Sequence, residues 1–120
     1  MLFVNAPNRV FINDVVTRDG FQNEPHFVPT EAKVRLTNRL SKTGLAKIEV
    51  TSFVSPKAIP NLRDAEEVMR SIDREPGVVY VALVPNERGA QRALECGADE
   101  INLVMSIGET HNLANILPYP

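Results

Sequence analysis

The stretch PGVVYVALVPNERGAQRALECGADEINLVM, residues 76–105, decides the fold. Pro76-Gly77 is a turn. Val78 to Val84 is a nearly unbroken apolar run, the pattern of a strand buried on both faces. Asn86 then caps a helix that turns Ala90, Ala93 and Leu94 inward, and Gly97 follows it. Ile101 to Met105 is a further strand. A strand, a helix and a strand in succession form a crossover unit, and crossovers join parallel strands.

The same alternation runs back toward the N-terminus. Val10 to Val16 reads as a first strand, with Asn13 and Asp14 interrupting its apolar run. Thr30 suits an N-cap, Glu31 the first turn, and Ala32, Leu36 and Leu40 recur at helical spacing before Gly44. Ala46 to Thr51 is a second strand, with Ile48 and Val50 on one face and Glu49 on the other. Ala65, Val68, Met69 and Ile72 mark the next helix by their i, i+3, i+4, i+7 spacing. Leu113, Ile116 and Leu117 begin a last helix that Pro118 and Pro120 stop.

The order is β-α-β-α-β-α-β, an α/β chain with a parallel sheet. Two architectures fit it: a small open sheet, or part of a (β/α)8 (TIM) barrel. The glycine fingerprint of a dinucleotide fold is absent after the first strand. Polar residues instead collect after the strands: Arg18 and Asp19, then Glu49 and Ser52, then Asn86, then Ser106 and Glu109. In a barrel, that rim is where active sites are built. A whole barrel takes ~250 residues. Residues 1–120 therefore read as a single partial domain of about four strands, the N-terminal half of a barrel.

Composition narrows the function. With 43% apolar and 23% charged residues, the chain is not disordered. No apolar run approaches the ~20 residues of a membrane helix, so no membrane partner is expected. Thirteen basic residues against 15 acidic give a net charge of −2, and the basic ones are scattered. That argues against nucleic acid. One cysteine, Cys96, allows no internal disulfide, which suits the cytoplasm. Met1 to Pro7 lacks the charged start and long apolar core of a signal peptide.

The densest polar segment is Asp14-Val15-Val16-Thr17-Arg18-Asp19-Gly20-Phe21-Gln22-Asn23-Glu24. Arg18 and Asp19 offer a fixed cation beside an oxygen ligand of the kind Mg²⁺ and Mn²⁺ prefer. On composition alone the favoured reading is a surface ion pair ahead of a polar turn, since such pairs are common and do little when exposed. In the second segment, Glu49 stands alone among apolar strand residues. It either points to solvent or finds a partner, and Arg18 one strand over is the natural one. Lys57 reads as solvated. His26 and His111 have no metal-ligand spacing between them. Cys96 lacks a local basic activator and reads as packing.

Three runs together resemble hydroxymethylglutaryl-CoA lyase, of the metal-dependent acyl-CoA lyase and synthase superfamily: Thr17-Arg18-Asp19-Gly20-Phe21-Gln22-Asn23-Glu24, Ile48-Glu49-Val50-Thr51-Ser52-Phe53-Val54-Ser55-Pro56-Lys57 and Ile101-Asn102-Leu103-Val104-Met105-Ser106. The likeness extends from about Arg9 to Ile116. Synthases of the superfamily usually read Arg-Asp-Gly-Glu-Gln, whereas Phe21 stands here in place of that Glu, as in the lyases.

The resemblance implies a TIM barrel and a divalent cation, Mg²⁺ or Mn²⁺. It implies an acyl-CoA substrate, 3-hydroxy-3-methylglutaryl-CoA, cleaved to acetyl-CoA and acetoacetate, as in leucine degradation and ketone-body formation. By the same resemblance Asp19 is the metal ligand and Arg18 the catalytic arginine that meets the enolate oxygen. Glu49 contacts that arginine, Asp14 is an acidic residue near it, and Gln22 and Ser52 line the substrate pocket. Family members often form dimers, so a homodimer is one expected assembly.

Gly108 departs from a frequent serine of the family. The family's H-x-H ligands and ligand asparagine lie in the second half of the barrel, and no H-x-H occurs in these 120 residues. A related 3-hydroxyacyl-CoA lyase or aldolase, or a non-catalytic half-barrel binding module, are the alternative readings. The isolated chain is expected to be inactive.

Overall fold

The computed structural model describes residues 8–104. Four strands form one sheet: β1 (Asn13–Asp14), β2 (Lys47–Ser52), β3 (Val79–Val84) and β4 (Glu100–Leu103). They lie in chain order, and every neighbouring pair is parallel. Three helices make the crossovers: α1 (Thr30–Leu40), α2 (Ala65–Ser71) and α3 (Glu87–Glu95). A doubly wound sheet would reverse its strand order at a switch point. An unreversed order is the order of a barrel wall. The expected α/β half-barrel is what the described residues form. Met105, Ser106, Gly108, Glu109, His111 and the last helix lie outside them.

Strand register assigns each side chain to a face. Ile48 lies beside Tyr80, Ala82 beside Ile101, and Val84 beside Leu103. Ile48, Val50, Tyr80, Ala82 and Val84 pack with Phe53 and with Ala65, Val68, Met69 and Ile72 of the α2 segment, and with Ala93 and Cys96 of α3 and its end. That face is the core, under the helices. The opposite face carries Glu49 beside Val81 and Glu100, then Ser52 beside Leu83 and Asn102. In a closed barrel the face away from the helices is the interior. A shift of register between Glu49 and Thr51 is what lets Glu49 and Ser52, three residues apart, share it.

Gly89 shows how tightly α3 seats. A Cβ there would lie 2.8 Å from the carbonyl oxygen of Phe53, so only glycine fits against the end of β2. The Asn86 cap is formed as expected, its side-chain oxygen accepting from Gly89 N–H at 2.9 Å.

Four expectations need correction. The first strand is two residues long rather than Val10 to Val16, although Lys47 N–H also donates to the Ile12 carbonyl at 3.2 Å. Asp14 Oδ1 accepts from Val16 N–H at 2.8 Å, and this local bond curls the backbone out of the ladder. Val10, Phe11 and Ile12 remain exposed, Phe11 by 62%.

Thr30 is not the N-cap of α1. It is the first helical residue, preceded by Pro29, and its hydroxyl donates instead to Asp64 Oδ2 at 2.7 Å. The most deeply buried positions of α1 are Lys33 and Thr37 rather than Ala32, Leu36 and Leu40. On α3 Leu94 is 63% exposed, while Gly89 and Ala93 face inward. In α1 the buried stripe lies one position beyond Ala32 and Leu36, although Leu40 packs against the core; in α3 Ala90 and Ala93 pack inward as expected, and Leu94 alone is misplaced.

Lys33 is 2% exposed, and its ammonium is fully engaged. It donates to Asp64 Oδ1 at 2.7 Å and to the Asn61 carbonyl at 2.6 Å, and lies 4.3 Å from the Phe27 ring centroid. Leaving one member of such a buried pair uncompensated costs roughly 3–5 kcal/mol. Lys33→Met is therefore expected to abolish or sharply weaken cooperative urea unfolding. The double variant Lys33→Met/Asp64→Leu should recover part of the loss. An unchanged midpoint in the single variant would contradict this account.

Candidate active site

The site begins with the sequence after β1. Val16–Gly20 forms one wide π-type turn, in which Asp19 N–H donates to the Val15 carbonyl at 2.7 Å. Such turns recur at functional sites. The turn places Thr17, Arg18 and Asp19 in three directions. Thr17 is buried against β2, its hydroxyl donating to the Glu49 carbonyl at 3.0 Å. Arg18 lies over the polar face of the sheet. Asp19 projects outward, its side chain 56% exposed.

Glu49 is only 3% exposed, and it is paired. Arg18 Nε donates to Glu49 Oε1 at 2.7 Å. Asn102 Nδ2, from β4, donates to Glu49 Oε2 at 3.0 Å. The alternative that Glu49 points to solvent is excluded. Arg18 Nη1 donates in turn to Asp19 Oδ1 at 3.2 Å. Arg18 Nη2 has no partner among the described residues. The result is a cation fixed on two sides, with one edge of its planar fork unspent.

Ser52 stands one step nearer the C-terminal end of β2, on the same face. It is 1% exposed, and its Oγ has no hydrogen-bond partner among the described residues. A buried hydroxyl without a partner is rare and marks a place where something else bonds. Below the cluster on this face, Lys47 Nζ donates to both carboxylate oxygens of Glu100 at 2.9 and 2.8 Å.

The loop after the turn is held from outside. Asn61 Nδ2 donates to the carbonyls of Gln22 at 3.3 Å and Glu24 at 2.7 Å, while the Asn61 carbonyl receives Lys33. Asn23 Nδ2 closes back on the Asp19 carbonyl at 2.8 Å. Gln22 thus has a fixed backbone position beside the turn.

Of the expected residues, the structure brings Arg18, Asp19 and Glu49 into one bonded chain, with Ser52 on the same face. Asp14 makes no hydrogen bond to that chain among the described residues, being engaged by Val16. His26 and Lys57 are exposed. No group of three or more metal-ligating side chains gathers among the described residues. Sequence reasoning missed Asn102, Thr17 and Asn61. The one available signal was Asn102, a polar residue between Ile101 and Leu103 in a strand.

The HMGL-like family model matches residues 9–116. The chain belongs to the HMGL-like family. It is 56% identical over 110 residues to the hydroxymethylglutaryl-CoA lyase of Bacillus subtilis, covering 92% of this chain and 37% of that one. It is 46% identical to the mitochondrial lyase of Gallus gallus, with the same coverage of each.

Among solved structures, the B. subtilis HMG-CoA lyase superposes with a TM-score of 0.86 over 92% of this chain and 37% of that one. An A. baumannii HMG-CoA lyase in complex with coenzyme A and 3-methylmalate superposes with a TM-score of 0.85 at 55% identity, over 88% and 35%. This HMGL-like chain therefore spans just over a third of the length of the relatives it matches.

Cys96 stands apart from the cluster. It packs in the core, and burial pushes its thiol above the usual range. The thiolate is the reactive form. A disulfide reagent at pH 8 should therefore label native Cys96 at least ~10-fold more slowly than the urea-unfolded chain. Equal rates would mean that the α3 end is not packed as described.

Proposed function

We propose that this chain is the N-terminal part of a divalent-metal-dependent hydroxymethylglutaryl-CoA lyase, which breaks a carbon–carbon bond of 3-hydroxy-3-methylglutaryl-CoA to give acetyl-CoA and acetoacetate. The observation that carries the reading is the Arg18 guanidinium, held by buried Glu49 at the rim of a barrel wall, with one N–H edge free beside the exposed carboxylate of Asp19. The relatives named above support the substrate.

The chemistry asks for these groups. The substrate's tertiary hydroxyl gives up its proton as the bond between its carbon and the thioester's α-carbon breaks. The bonding pair moves into the thioester, whose oxygen becomes an enolate, and the α-carbon then takes a proton to become acetyl-CoA. The developing charge sits on one oxygen, and a preorganised cation aimed there is an effective stabiliser. Arg18 fills that role through Nη2. Glu49 keeps Arg18 in place and is not consumed.

Asp19 fits a hard divalent cation: it is an exposed carboxylate at the rim, and its Oδ2 has no partner among the described residues. When bound there, such an ion supplies a Lewis acid for the substrate's oxygens and lowers the pKa of its hydroxyl. Ser52 Oγ and Gln22 line the same pocket and orient the substrate. Asp14 lies next to the turn and adds negative potential near it. A single free cysteine favours the cytoplasm as the compartment; the relatives support an acyl-CoA as the partner, and a homodimer is the assembly that the family resemblance implies.

The test is a chimera in which this chain replaces the matching 110 residues of the B. subtilis lyase. The isolated chain should not turn over the substrate, and the chimera should. Arg18→Gln in the chimera should lower kcat by roughly 10²–10³-fold with metal affinity little changed. Asp19→Ala should weaken Mn²⁺ binding first. An Arg18→Gln chimera that loses thermal stability yet keeps its kcat would reduce Arg18 to a structural partner of Glu49 and end the assignment.

A further inference from the structure

The cluster contains one residue with no assigned role. Asn102 lies on β4, two strands from Glu49, with Val81 and Leu83 of β3 between them. Its Nδ2 reaches across that strand to Glu49 Oε2 at 3.0 Å. The two residues are 53 apart in sequence, so only the sheet brings them together. Asn102 makes no other side-chain hydrogen bond among the described residues.

A carboxylate held at one oxygen still swings about its terminal torsion, which is broad for glutamate. Arg18 holds Oε1, and Asn102 holds Oε2. With both oxygens engaged, the carboxylate plane is set. That plane decides which N–H of Arg18 it receives, and here it receives Nε. A bond to Nε leaves the Nη edge for other work. A carboxylate free to turn could take Nε and Nη2 together as a bidentate pair, and the edge proposed to meet the enolate oxygen would be spent.

The donor's neutrality matters too. A lysine or arginine at 102 would compete with Arg18 for the charge of Glu49. A leucine would leave Oε2 buried without a partner. An amide donates one bond without bringing a second cation to Glu49.

We infer that Asn102 is a positioning residue: it fixes the Glu49 carboxylate so that Arg18 binds through Nε and keeps Nη2 available to substrate. This rests on the reading of Arg18 as the cation at the enolate oxygen.

The chimera tests it with two variants, Asn102→Ala and the near-isosteric Asn102→Leu, which keeps the packing over β3. Both should lower kcat by about 10-fold, the size of one lost charge-assisted bond acting through a neighbour, while KM and Mn²⁺ affinity stay within about 3-fold of the parent. In the Arg18→Gln background, which is already slow, either change should cost almost nothing further. Asn102→Gln, which keeps an amide donor, should recover part of the loss.

Parental kcat in both apolar variants would overturn the role of Asn102 while leaving that of Arg18 standing. A loss repeated in full in the Arg18→Gln background would overturn it as well, because Asn102 would then act by another route. If Arg18→Gln itself leaves kcat unchanged, the reading beneath the inference fails first, and that result is separately visible.

Discussion

A carboxylate in the middle of a buried strand has to be compensated, and Glu49 is the point from which the rest of this site is organised. Desolvating an unpaired charge costs several kcal/mol. β2 can carry Glu49 only because two other segments bring it three donors. The turn after β1 supplies Arg18 to one oxygen and Thr17 to the main-chain carbonyl, and β4 supplies Asn102 to the other oxygen. These bonds join the outermost strands of the described sheet across its middle. The same bonds that make Glu49 tolerable also hold a cation at the rim, where a barrel places its chemistry.

The two faces of the sheet divide the work. Apolar residues under the helices supply cohesion, while the face that looks into a barrel carries two polar layers. Lys47 and Glu100 form the lower layer, and Arg18, Glu49 and Asn102 the upper. On the helix side, the buried pair Lys33–Asp64 anchors Asn61, and Asn61 clamps the loop that follows the arginine turn. A chain of polar bonds thus runs from α1 to the site, so the loop near Asp19 is braced from the outside of the wall as well as from its inner face.

Much of this was legible in the sequence where one residue type dominates a window. Val79–Val84 is all apolar or aromatic, and its strand was placed to within one residue. The isolated acidic residue in β2 was legible as a charge needing a partner, and Arg18 as that partner. Legibility failed where polar side chains took over roles usually held by apolar ones. Lys33 and Thr37 occupy the buried stripe of α1, which helical spacing of Ala32, Leu36 and Leu40 placed elsewhere. β1 was overestimated because β propensity cannot see the bond from Val16 N–H to Asp14 that ends the strand. Asn102 was missed because its partner lies two strands away, a distance no local pattern encodes.

The central claim is that Glu49 is the seat of a guanidinium that serves the reaction. Chemical rescue tests it most directly. In the Arg18→Ala chimera, added guanidinium ion at millimolar concentration should restore part of kcat/KM with saturable dependence, because Glu49 provides a preformed site for it. In the Arg18→Ala/Glu49→Gln chimera the same addition should restore nothing. Rescue that is equal with and without the Glu49 carboxylate, or no rescue in a folded Arg18→Ala protein that still binds Mn²⁺, would contradict the account.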